Sequence, residues 1–125
     1  MDKLTSLIKQ FEKATNRLKE VLDLPKTDII RDSAIQRFEF SLDLAWKSLK
    51  AYLSQKHGLT VASPKKTFKE AFHQGIIEYD EKWLDLVNLR NETVHTYNEK
   101  RAKEVFAQLP EALTYFQKLL PLLKK

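Results

Sequence analysis

Residues 35–52 read IQRFEFSLDLAWKSLKAY. Ile35, Phe38, Leu42, Ala45, Leu49 and Tyr52 recur at alternating steps of three and four. That spacing keeps side chains on one side of an α-helix and, when sustained, makes a heptad-like seam. A second apolar line passes through Phe40, Leu44 and Ala51, with Trp46 and Leu53 between the two. A helix that is apolar on more than one face is covered on more than one face, either in the middle of a bundle or at a contact between subunits. The stretch therefore predicts a long helix over about Asp28–Lys56 and an all-α fold built around it.

The flanking sequence extends this pattern. Leu4, Leu7, Ile8, Phe11, Leu18 and Leu22 form one stripe, predicting a first helix from about Asp2 to Leu22 that Pro25 ends. Gly58 and Gly75 are the only glycines, and both follow helical segments, where a left-handed residue closes a helix most cheaply. Ser63-Pro64 has the form of an N-cap followed by a first-turn proline, so a third, short helix opens there. Lys65 and Lys66 then fall in a first turn, where the helix dipole disfavours cations. They are either a solvated pair or an anion-facing patch. A fourth helix is predicted from about Asp80 to Val94 or His95. A fifth runs from Thr96 or Asn98, where Thr96-Tyr97-Asn98-Glu99 has capping-box form, to about Leu122. Pro110 removes a backbone donor inside this last stretch. The apolar phase continues across it, through Val105, Phe106, Leu109, Leu113, Phe116 and Leu120, which favours a kink over a break.

At 125 residues the chain has the size of one domain, residues 1–125, and can bury a core without disulfide or metal staples. The absence of cysteine excludes thiol nucleophiles, thiolate zinc sites and iron–sulfur clusters. No apolar run approaches a membrane span and Met1-Asp2-Lys3-Leu4 lacks signal-peptide layout, so a cytoplasmic protein with no membrane partner is expected. The formal net charge of +5 permits a polyanionic partner without requiring one. P-loop, dinucleotide and nucleophile-elbow motifs are all absent. Glu39 and Asp43 have no histidine at ligand spacing, so neither a metal nor another cofactor is expected; Asp43 is also placed to pair with Lys47.

The fourth helix carries an anomaly. Trp83, Val87 and Val94 define its apolar face with Leu86 on the flank, and Arg90 falls near the middle of that stripe. A buried arginine needs a carboxylate, a subunit interface or a phosphate. Glu39 or Asp43 on the second helix is the candidate carboxylate behind it. Asn91 and His95 lie one turn apart on nearly one side, and Tyr97 follows. The string Arg90-Asn91-Glu92-Thr93-Val94-His95-Thr96-Tyr97 thus offers a phosphate-binding fork, an amide, an imidazole that titrates near neutrality and a phenol. Cleaving RNA without a metal needs a base for the 2′-hydroxyl proton, an acid for the leaving 5′-oxygen and a cation on the phosphate. One histidine is thin for two proton transfers, and a homodimer facing two such strings would supply the second. His57 and His73, each just before a predicted helix end, read as dipole-compensating caps without further role.

Ile35-Gln36-Arg37-Phe38-Glu39-Phe40 with Leu44-Ala45-Trp46-Lys47-Ser48-Leu49-Lys50 resembles the second helix of the nucleotidyltransferase substrate-binding family within the HEPN superfamily. Ser63-Pro64-Lys65, Ala71-Phe72 and Gly75-Ile76-Ile77 match its middle. Leu89-Arg90-Asn91 through His95-Thr96-Tyr97 matches its signature of an arginine, four residues, a histidine, one residue and a tyrosine. The resemblance implies a bundle of about five helices with a HEPN-like four-helix up-and-down core that dimerises, the paired motifs forming one cleft. It also implies a metal-independent endoribonuclease of the toxin–antitoxin type, with Arg90 and His95 catalytic and Asn91 supporting. The implied partner is a minimal nucleotidyltransferase that silences the ribonuclease by AMP transfer to Tyr97. Two rival readings stay open: a non-catalytic substrate- or nucleotide-binding subunit of that transferase, and a purely structural bundle.

Overall fold

The computed structural model describes residues 2–95 and 98–125, and among them all regular structure is helical. Helix α1 spans Lys3–Leu22, α2 Asp28–His57, α3 Pro64–His73, α4 Lys82–Glu92, α5 Glu99–Ala107 and α6 Leu109–Leu123. A single 3₁₀ turn, Thr93–His95, extends α4. Each main start has a chemical cause. Asp2, Thr27, Ser63 and Asn98 accept the otherwise orphaned N–H of Thr5, Ile30, Lys66 and Arg101 respectively. Helix α2 stops where Gly58 turns left-handed at φ 66°, letting its N–H reach the Ser54 carbonyl while Leu59 reaches Leu53. Helix α4 begins two residues later than expected because the Asp80 carboxylate accepts the Lys82 N–H and holds the preceding residues in a turn.

Side-chain ties fix the directions. Gln55 at the end of α2 donates to Asp2 at the start of α1, so the two helices run antiparallel. Lys124 beyond α6 pairs with Glu12, and Lys26 just past α1 lies over the Phe106 ring just before α6, so α6 runs antiparallel to α1. The core between them is aromatic. Phe116 of α6 meets Phe11 edge-on at 5.9 Å and stacks on Phe38 at 6.1 Å. Trp83 lies face-to-face with Phe68 at 4.7 Å and meets Tyr115 edge-on. Each phenylalanine ring so removed from water is worth roughly 1.5–3 kcal/mol. Helix α4 crosses this core, starting against α6 through Lys82–Glu111 and Asp80–Tyr115 and ending against α2 through Arg90. Among the described residues no helix is long and apolar enough to cross a membrane.

Two expectations are corrected. The stretch after residue 98 breaks rather than kinks: α5 closes on Gln108, whose N–H turns back to Val105, and α6 opens at Leu109 with Pro110 in its first turn. Proline has no N–H to give the Phe106 carbonyl and its ring crowds that oxygen, so a continuous helix loses its hydrogen bond there. Both helices still bury their apolar sides, with Val105, Leu109, Ala112 and Phe116 inward. The second apolar line of α2 is also not covered along its length. Leu53 is buried and Leu44, Trp46 and Ala51 are half-buried, but Phe40 stays 54% exposed beside α1.

Candidate functional site

The face of α4 that enters the core is Trp83, Leu86, Val87 and Leu89. Arg90 leaves this face at the last turn and reaches α2. Its Nε and Nη2 donate to the two oxygens of Asp43 at 3.2 and 3.1 Å, a bidentate fork, and Nη1 lies 2.8 Å from Glu39. Both carboxylates named from sequence are therefore engaged by Arg90, and Asp43 is committed here rather than to Lys47. The Arg90 side chain remains 25% exposed. The Asp43 hydrogen bonds push its pKa above the ordinary arginine value; burial acts against them and the Asp43 and Glu39 charges with them. With two carboxylates against one cation, the cluster carries a formal excess of one negative charge.

Thr93 explains how α4 ends. Its hydroxyl donates to the Arg90 carbonyl at 2.7 Å and accepts from Arg90 Nη1 at 3.3 Å, so the same residue tightens the backbone and steadies the fork. The tightened turn advances about 120° per residue instead of about 100°, roughly 60° more over three residues. Thr93 is turned into the protein and Val94, expected on the apolar face, is turned out to 65% exposure. His95 is exposed at the end of the same turn, and Asn91 is exposed on the last turn of α4. The structure thus gathers Arg90, Glu39, Asp43 and Thr93, and leaves Asn91 and His95 on the surface of the same helix end. Thr96 and Tyr97, including the predicted modification site and the first residue of the predicted capping box, lie outside the described residues. Asn98 is the cap that the structure uses for α5.

Three charged residues that the sequence reading left without a role frame this segment. Glu92 on α4 pairs with Arg101 on α5, which also donates to Glu104 at 2.7 Å. Arg31, buried near the start of α2, lies within 3.4 Å of Asp28, 3.1 Å of Asp32 and 3.8 Å of Glu99. The chain on either side of residues 96–97 is therefore tied to α2 and to itself. Only the i,i+3 spacings of Asp28 with Arg31 and of Arg101 with Glu104 hinted at this in the sequence. Lys65 and Lys66 are exposed in the first turn of α3, and His57 and His73 are the last residues of their helices. Among the described residues no group of three histidine, aspartate or glutamate side chains is placed to hold a metal ion.

Residues 6–125 match the family described as nucleotidyltransferase substrate binding protein like. A curated relative from Haemophilus influenzae (strain ATCC 51907 / DSM 11121 / KW20 / Rd), described as "Probable ribonuclease HepT", is 32% identical, the match covering 78% of this chain and 70% of that protein. A crystal structure from Thermus thermophilus superposes with a TM-score of 0.86 at 40% identity, over 92% of this chain and 99% of the other. A Haemophilus influenzae structure, described as revealing the fold of a substrate binding domain of a nucleotidyltransferase, superposes with a TM-score of 0.79 at 28% identity, over 98% of this chain and all of the other. With the family match spanning nearly the whole chain and the fold shared, the chain belongs to the nucleotidyltransferase substrate-binding protein family.

Proposed function

We propose that this protein is a metal-independent endoribonuclease of the HEPN type. In this reading it acts as a homodimer in the cytoplasm, paired as a toxin with a minimal nucleotidyltransferase. The observation that carries the reading is the end of α4: an orientation-fixed, partly exposed guanidinium with an exposed imidazole just beyond it. A ribonuclease name on a relative at 32% identity supports it. His95 of one subunit takes the 2′-hydroxyl proton, the 2′-oxygen attacks phosphorus, and the bond to the 5′-oxygen breaks. His95 of the partner subunit gives that oxygen its proton, leaving a 2′,3′-cyclic phosphate and a 5′-hydroxyl. Arg90 steadies the charge that builds on phosphorus; Asp43 and Glu39 hold the fork flat for that contact. Glu39, attached at one point, is the contact that an entering phosphate displaces. Asn91 supports the same phosphate. AMP on Tyr97 blocks the cleft with a bulky anion where the RNA phosphate belongs.

A second reading has its own observation. The two carboxylates more than offset the charge of Arg90, which suits a positioned structural arginine. The chain is then a non-catalytic subunit that presents a substrate to a nucleotidyltransferase, as the description of the Haemophilus structure has it for that protein. The deciding experiment is cleavage of total RNA in EDTA by the purified protein beside His95→Ala. Intact mass is checked first, so that modified Tyr97 does not pass for inactivity. Cleavage by the unmodified protein and none by the variant upholds the ribonuclease; cleavage by neither moves the subunit reading ahead.

A further inference from the structure

The groove between α1 and α2 has a composition unlike the rest of the surface. It holds two adjoining hollows of about 450 Å³ each. Six cations line them: Lys3, Lys13, Arg17, Arg37, Lys47 and Lys50. No carboxylate is among the described residues lining either hollow. Of the acids nearby, Asp2 caps α1, Asp43 holds Arg90 and Glu12 pairs with Lys124, while Glu20, which shares a neighbouring hollow with Lys13 and Arg17, pairs with Arg37 at 3.9 Å. Each hollow also has one aromatic ring. Phe40 is 54% exposed in one; Trp46 is half-buried in the other, with the Lys50 ammonium 5.9 Å from its ring centroid. Arg37 is held in place by donating to the Arg17 carbonyl at 2.7 Å, and its ion pair with Glu20 is the long one at 3.9 Å, so its guanidinium is ordered chiefly by a neutral acceptor.

We propose that this groove binds single-stranded RNA, its phosphates on the six cations and bases stacked on Phe40 and Trp46. Cations tracking a backbone with aromatic platforms between them are how single strands are held without sequence preference. From Ser33 to Gln55 the groove follows α2 for about 33 Å, a length within the range of single-strand sites. Its Trp46–Lys50 end shares a flank of α2 with Asp43, the partner of Arg90, only about 10 Å back along the helix. A strand leaving the Arg90 cluster therefore enters the groove directly. A second copy of the chain is the poorer occupant, because a two-fold contact sets a patch against itself and here opposes cation to cation. The ligand rests on the RNA reading above, but binding is measured without cleavage.

The test is fluorescence anisotropy of a labelled oligoadenylate of about 12 nucleotides against His95→Ala protein, which removes turnover. Against that background, Lys47→Gln/Lys50→Gln is expected to weaken binding roughly tenfold and to flatten the log–log salt slope by about 1.4. Phe40→Ala, an exposed site where folding is not at stake, is expected to weaken binding roughly tenfold with the salt slope unchanged. Lys65→Gln/Lys66→Gln removes the same charge from α3 and serves as the control. Equal weakening by the control, or no weakening by the groove variants, overturns the proposal. So does a groove variant that changes sedimenting mass instead of RNA affinity, which would make the groove a contact between copies. Groove variants that leave binding intact in a protein that still cleaves RNA sink the groove alone; intact binding without cleavage in unmodified wild type sinks the ribonuclease alone.

Discussion

Arg90 was legible as an anomaly because a cation in an apolar stripe demands an explanation, and both carboxylates offered from sequence turned out to be its partners. His95 was legible only as a residue type. Its direction depends on the Thr93 hydroxyl bonding back to the Arg90 carbonyl, and nothing in the spacing announces that a threonine will tighten a helix end rather than extend it. The bidentate fork gives a prediction at this scale. Arg90→Lys keeps the charge but holds one carboxylate at one point. We expect a loss of about 1 kcal/mol, roughly 3–5 °C in Tm, alongside a fall in RNA cleavage of roughly 10²-fold. Thermal melts and single-turnover cleavage measured on the same preparation separate the two. A large Tm loss with cleavage unchanged at a temperature where the variant is folded returns Arg90 to a structural role.

Among the elements, the starts and the glycine stop of α2 were readable because capping is local chemistry: a side-chain oxygen three residues before an orphaned N–H needs no tertiary information. The break at Gln108 was not, because apolar phase survives a missing hydrogen bond and so conceals it. The tie between α6 and the turn before α4 was equally hidden, being 35 residues apart in sequence. Here the Tyr115 hydroxyl donates to Asp80 at 2.6 Å, and that bond, with burial and the Asp80 charge behind it, pushes the phenol up to about 12. The same hydrogen bond, followed by that from the Lys82 N–H, holds Asp80 below the usual carboxylate range. The phenol is protonated in both folded and unfolded chain below pH 10, so its contribution is complete there. It is lost as pH rises from 10 to about 12, where only the folded chain keeps the proton. Asp80 works in the opposite sense, contributing above its ordinary pKa of 3.8 and losing that contribution as pH falls through the lowered folded value. Tyr115→Phe is expected to cost about 1 kcal/mol near neutrality. Urea melts of both proteins should show this difference shrinking at each pH extreme; a difference that is flat from pH 8 to pH 12 would remove the hydrogen bond as its cause.

For the whole molecule, the sequence told the sign of the charge but not its address. The +5 is an arithmetic property of the chain, whereas six cations without a carboxylate in one groove depend on the register of α1 against α2. The doubly apolar α2 allowed either a central place in the bundle or a subunit contact, and a two-fold contact through its groove would oppose cation to cation. The exposed Val94 and Ile29 offer the better contact: Arg31–Glu99 brings the start of α2 beside the start of α5, so both lie at the motif's end of the bundle. If two histidines do the proton work, sedimentation equilibrium should give about twice the 14.7 kDa chain mass. Val94→Glu should then lower both that mass and RNA cleavage. A monomer that cleaves RNA would end the two-histidine mechanism.

Helix α5 is nine residues long, buries Ala102 and Val105 fully and Phe106 in part, and is cut off from α6 at Gln108. Such a segment is expected to open on its own at a lower free-energy cost than the bundle, which faster amide exchange in α5 than in α1, α2 and α6 would show. Glu99 and Arg101 leave with it, so Arg31 and Glu92 lose their partners across residues 96–97 while α1, α2 and α6 stay folded. The lifetime of the assembled motif is then set by this one short segment rather than by the stability of the molecule that carries it.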